Sequence, residues 1–95
     1  MDRLYVIVRS DLSPGMQLAQ ACHAARAFGP CSSEENLVVL HAPDELALTA
    51  LAHDLELAGL PVVRFVEPDL GHQLTAISAG GAHAKRMLRA LPLAA

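Results

Sequence analysis

Leu4-Tyr5-Val6-Ile7-Val8-Arg9-Ser10-Asp11-Leu12-Ser13-Pro14-Gly15 is the stretch that decides the fold class. Its first five residues are an unbroken apolar run rich in β-branched side chains, as expected of a strand buried on both faces. Asp11 to Gly15 then breaks the run with turn residues. Ser13 is a good helix N-cap, and Pro14 suits the first helical position, where no backbone N–H is needed. A strand that turns directly into a helix is the opening unit of an α/β domain.

Working outward, the helix is expected over about Pro14 to Phe28. Its small apolar stripe is Leu18, Ala21, Cys22, Ala25 and Phe28, and Gly29-Pro30 stops it. A polar loop, Ser32 to Asn36, leads to a second buried strand at Leu37-Val38-Val39-Leu40. His41 to Glu45 opens a second helix with acidic residues at its positive end. Leu48, Leu51 and Leu55 face its core, and Gly59 ends it. Val62 to Val66 is a third strand. The turn Glu67-Pro68-Asp69-Leu70-Gly71 separates it from a short fourth strand, Leu74 to Ile77. After Gly80-Gly81, a basic helix turns Met87, Leu88 and Leu91 inward, and the tail from Pro92 frays.

The order β-α-β-α-β-β-α predicts a three-layer α/β domain. Its mixed four-stranded sheet is flanked by helices, with helix-linked strands parallel and the last two antiparallel. At 95 residues the chain is one domain, 1–95, near the small end for an independent core, so pairing into a homodimer is expected. Hydrophobic residues make up 53% and aromatics 3%, so an aliphatic core, not disorder, follows.

The net charge of −3 argues against a surface given over wholly to nucleic acid. It leaves room for a local basic strip such as Lys85, Arg86 and Arg89, which is either a solvated face or a contact to phosphates. Cys22 and Cys31 match neither a redox pair nor a zinc knuckle. No apolar run is long enough to cross a bilayer, and Met1-Asp2-Arg3 leads straight into the first strand. Free thiols in a reducing cytoplasm are the expectation.

Three features carry possible chemistry. The Ser10–Gly15 turn lies where ligands of α/β sheets bind, beyond a strand's carboxyl end. An anion site and an ordinary capped turn both fit it. His23 follows Cys22 on the first helix, but neighbouring helical residues point roughly 100° apart, so the two do not form a nucleophile–base pair. Asp69 fits a locally hydrogen-bonded turn residue, and equally a carboxylate that activates water at a strand end. His23, His41, His53, His72 and His83 lack metal-ligand spacing, with His41 and His53 read as surface residues. No metal or cofactor is expected.

Val8-Arg9-Ser10-Asp11-Leu12, Gly15 and Gln20-Ala21-Cys22-His23-Ala24-Ala25 resemble the first signature of the archaeal and eukaryotic type of peptidyl-tRNA hydrolase. Glu56-Leu57-Ala58-Gly59-Leu60-Pro61, the following strand and Asp69-Leu70-Gly71 resemble its second. The resemblance runs in order from Leu4 to about Gly80. It implies metal-free hydrolysis of the ester joining a peptide to tRNA, by a positioned water, with tRNA as partner. By this resemblance Asp69, His23 and Thr75 are the catalytic candidates, and Arg9, Ser10, Asp11, Gln20 and Gln73 the binding ones.

Two departures matter. Met16 stands where the family has a lysine, and methionine donates no hydrogen bond and carries no charge. The loop after Asp69-Leu70-Gly71 is contracted to His72-Gln73-Leu74-Thr75, and His72 or Arg9 is left as the substitute cation. The enzyme reading leads. A module of the same fold that grips RNA, a nucleotide or a protein without turnover is the alternative.

Overall fold

In the computed structural model, which describes residues 3–29, 37–81 and 83–94, the Leu4–Arg9 run forms strand β1, and all six of its residues are buried. Its side chains alternate between two cores. Val6 and Val8 join Ala24 and Ala76 on one face, while Tyr5 and Ile7 join Leu48, Leu55, Ile77 and Leu88 on the other. An apolar run with no polar alternation is what a strand needs when helices cover both faces.

The chain order is β1 (Leu4–Arg9), α1 (Pro14–Phe28), β2 (Leu37–Ala42), α2 (Glu45–Leu57), β3 (Val62–Glu67), β4 (Gln73–Ala79) and α3 (Ala84–Leu88), with a 3₁₀ turn at Pro68–Leu70 between β3 and β4. The sheet order is β2-β1-β4-β3. β1 and β2 are parallel, and β4 runs antiparallel to both β1 and β3. The mixed α/β sheet with helices on both faces is therefore as expected. α1 covers one face, and α2 and α3 the other.

Helix signals work locally. The Ser13 hydroxyl accepts from the Met16 N–H at 3.3 Å, with Pro14 in the first turn. The Asp44 carboxylate caps α2 by accepting from the Ala47 N–H at 2.9 Å. α2 thus starts at Glu45, and His41 and Ala42 belong to β2. Gly59 at φ +81° closes α2, and the Leu60 N–H returns to the Leu55 carbonyl at 3.1 Å. This is the wrap by which a left-handed residue satisfies the last free carbonyls.

Expectations about the α1 stripe, β2, Met87 and the tail fail. Leu18 is 72% exposed, and the buried line of α1 runs through Gln20 and Ala24. A hydrophobic-spacing rule cannot choose a glutamine, whereas the sheet beneath supplies it with a hydrogen-bond partner. β2 is an edge strand and is buried mainly on its α2 side, leaving Leu37 49% exposed. Met87 points to solvent, while Ala84 and Leu88 face the core. The tail is ordered. The Pro92 carbonyl accepts from the His41 N–H at 2.9 Å, the Ala94 N–H reaches the Val39 carbonyl at 3.0 Å, and Leu93 bridges Leu40. It caps part of the β2 edge, whose backbone groups would otherwise stay unpaired. The loop expected at Ser32–Asn36, the Pro30 stop and Cys31 lie outside the described residues.

One irregularity positions the site. The β3–β4 register passes from Phe65↔Ala76 to Val66↔Leu74, leaving Thr75 as an extra residue. A bulge of this kind re-aims a side chain. Here Thr75 and Ala76 both serve the α1 face, although they are adjacent.

Candidate functional site

The carboxyl ends of β1, β2 and β3 and the start of β4 meet at one edge of the sheet. Arg9, the last residue of β1, is buried there and spends its whole guanidinium locally. Nε and Nη2 donate to the two oxygens of Asp11, each at 2.9 Å, and Nη1 donates to Gln73 Oε1 at 2.8 Å and to the Leu74 carbonyl at 3.2 Å. The paired hydrogen bonds from Arg9 hold the Asp11 carboxyl below its ordinary range and raise Arg9 in turn.

Behind this pair lies a second chain of contacts. The Thr75 hydroxyl, fully buried, donates to Gln20 Oε1 at 2.6 Å, and Gln20 Nε2 donates to Glu67 Oε1 at 2.9 Å. Glu67 Oε2 in turn accepts from the Asp69 N–H at 3.4 Å, capping the 3₁₀ turn that presents Asp69. Gln20 and Thr75 are therefore positioning residues. They brace the Asp69 turn from inside and have no surface with which to touch a substrate.

A third group fastens the turn after β1. Gln17 Nε2 donates to the carbonyls of Leu12 at 2.8 Å and Ser10 at 3.3 Å, which orients its oxygen toward His41 Nε2 at 2.7 Å. With the amide placed this way, the imidazole nitrogen is the donor. The Ser10 hydroxyl lies 3.4 Å from the Ala42 carbonyl, and the Leu74 N–H donates to Glu45 Oε2 at 2.8 Å.

Asp69 itself is exposed, and no side-chain hydrogen bond engages its carboxylate among the described residues. His23 is exposed on α1 and stacks on Phe65, with ring centroids 4.7 Å apart and planes 12° apart. Gln73 is exposed. Its oxygen is held by Arg9, and among the described residues no hydrogen bond engages its amide N–H groups. His72 follows Gly71 in the left-handed region at φ 62°, an uncommon conformation for a residue with a Cβ. The structure thus ties Arg9, Asp11 and Gln73 together and, separately, Gln20, Thr75 and Glu67. It leaves His23 outside both networks. Glu67, Gln17, His41 and Glu45 were missed from sequence. The available signal was Gln17 and Gln20, two amides three residues apart on one helical face.

Five carboxylates gather beyond the strand ends: Asp11, Asp44, Glu45, Glu67 and Asp69, against one guanidinium, Arg9. Arg64 is elsewhere, paired with Glu56 at 2.7 Å. His83, Lys85, Arg86 and Arg89 line a separate shallow cleft on α3. The basic residues therefore do not form one patch at the candidate site. Among the described residues no three His, Cys, Asp or Glu side chains gather as metal ligands, and no helix is long and apolar enough to cross a membrane.

No family model and no curated protein matches the chain. Among solved structures it is similar to a protein of unknown function from Agrobacterium tumefaciens strain C58. That match has a TM-score of 0.74 and 12% identity, and covers 99% of this chain and 98% of that one. At such identity the likeness establishes the fold: a four-stranded mixed α/β sheet flanked by helices.

Proposed function

We propose that this domain is a peptidyl-tRNA hydrolase-like esterase of the cytoplasm whose site is the Asp69–Gln73 segment at the carboxyl edge of the sheet. One observation carries the reading. Residues of the first signature segment are hydrogen-bonded to the short loop that follows Asp69-Leu70-Gly71, Arg9 to Gln73 and Gln20 to Thr75.

Asp69 takes a proton from a water that attacks the ester carbonyl. The C–O bond to the ribose breaks, and the proton passes to the leaving ribose oxygen, giving a free peptide acid and a tRNA hydroxyl. Charge grows on the carbonyl oxygen, so an aimed donor matters most. The outward Gln73 amide supplies it, because the Thr75 hydroxyl is already engaged by Gln20. Arg9 acts by orienting Gln73, not as a free cation.

A second reading is favoured by the acidic edge and by Met16. Five carboxylates around one paired arginine repel a phosphate backbone over a Debye length of about 8 Å, and no lysine offsets them. In that reading the same edge grips a ligand without turnover. Release of free tRNA from N-blocked aminoacyl-tRNA separates the two. Hydrolysis is expected, with Asp69→Ala lowering kcat/KM by about 100-fold or more and His23→Ala lowering it less. No turnover by the wild-type protein would refute the esterase and leave the binding module. Turnover untouched by Asp69→Ala would refute this site.

A further inference from the structure

We propose that the cleft on α3 lined by His83, Lys85, Arg86 and Arg89 holds the backbone phosphates of a nucleic-acid strand. The proposal stands apart from the chemistry assigned to the Asp69 edge and does not need it.

The charge of the chain is divided along its length. Residues 1–69 hold all ten carboxylates and four of the seven cations, whereas residues 70–95 hold the other three cations and no Asp or Glu. Those three, Lys85, Arg86 and Arg89, share one cleft with His83. A solvated face ordinarily mixes both signs and relieves them in pairs. Here spacings of four and three residues set Lys85 and Arg86 each beside Arg89 on the helix surface, like charge against like. Among the described residues none of the three forms an ion pair. A bound anion relieves that repulsion.

The scaffold holds the cluster in place. Ala84 and Leu88 are buried beneath it. Gly81 packs closely on Leu60 and Pro61 just before the helix, and Pro92 and Ala94 after it are hydrogen-bonded to β2. α3 also starts away from the acidic edge. Ala79, at the end of β4, pairs with Tyr5 near the start of β1, about 13 Å along that strand from Arg9. This exceeds the Debye length of about 8 Å, so the carboxylates at the strand ends are screened from a ligand there.

The lining selects a phosphate strand. All four residues are hydrophilic, with no apolar or aromatic side chain to anchor an acidic peptide. Two are arginines, whose planar fork matches the oxygens of a phosphate. The cleft is shallow, about 290 Å³. A small free ligand is ordinarily enclosed on most sides, whereas a backbone needs only to lie along a row of cations. Such contacts fix position and read no sequence.

The test is fluorescence anisotropy of a dye-labelled single-stranded RNA of about 20 nucleotides, longer than a typical site, titrated with the full chain. The RNA carries no peptidyl ester, so the result is independent of turnover at Asp69. Binding is expected, and three phosphate contacts predict a loss of about 20-fold in affinity between 50 and 200 mM salt. Arg89→Gln should weaken binding and flatten the salt dependence, whereas Arg89→Lys, which keeps the charge, should keep the slope. Replacing Lys85, Arg86 and Arg89 together by Gln should abolish binding. Arg64→Gln removes one charge from a cation already paired with Glu56 and should bind like wild type. Circular dichroism confirms that each variant folds. No binding by the wild-type protein at 50 mM salt would overturn the proposal, and so would an equal loss in Arg64→Gln and Arg89→Gln. Displacement of the RNA by tripolyphosphate at equal phosphate concentration would point to a free-polyphosphate site instead. Equal displacement by polyglutamate would reduce the cleft to an indiscriminate anion patch. Either would overturn the strand as its ligand.

Discussion

Thr75 shows how a residue type misleads when its address is unknown. Its hydroxyl looks like a substrate donor in the sequence, yet it is buried against Gln20 at 2.6 Å. Thr75→Val should therefore act on stability first. It leaves Gln20 Oε1 without its donor and costs about 1–3 kcal/mol, seen as a lower urea midpoint, whereas a hydroxyl touching substrate would lower kcat at unchanged stability. Asp11 gives a pH signature. Its folded carboxyl is held below the ordinary range by Arg9, so its stabilisation is complete above the unfolded pKa of about 3.9. It is lost as pH falls from there through the depressed folded value. With its side chain 40% exposed, solvent screening limits this to about 1 kcal/mol or less. Acid unfolding of wild type and Asp11→Asn should converge below that window. Equal sensitivity of the two proteins across all pH would contradict the ion pair's role.

The elements were largely legible because their signals are local. Ser13-Pro14, Asp44 and Gly59 act within one helical turn of themselves, and β1 announces its double burial by composition. What could not be read was which side of α1 faces inward, since that depends on a bulge far along the chain that turns Thr75 toward Gln20, 55 residues away. The site was legible to the same degree. Arg9, Asp11 and Gln73 do assemble, but their contact is set by the β1–β4 register, which no local pattern encodes. The tail was misjudged for a related reason: Pro92 and Ala94 are ordered by β2's free edge, not by their own sequence. Deleting residues 92–95 should remove two backbone hydrogen bonds to β2, cost about 1–2 kcal/mol, and raise light scattering on warming as the edge is uncovered.

At the scale of the whole molecule, charge and apolar surface are sorted to different faces. Carboxylates crowd the strand ends, His83, Lys85, Arg86 and Arg89 share the α3 cleft, and an open groove between α1 and β2 is lined by no formally charged residue. The central position of β4 has a further consequence. It is the last strand made, yet it sits between β1 and β3 and supplies both with their hydrogen bonds. On the ribosome, β1, β2 and β3 therefore emerge before the strand that unites them. Until Gln73–Ala79 follows, β3 has no neighbour and the aliphatic faces of both cores remain wet. Folding of this kind waits for distant contacts. The sheet is completed only once β4 has been made, and the interval before it is the period of greatest exposure to chaperones, proteases and self-association.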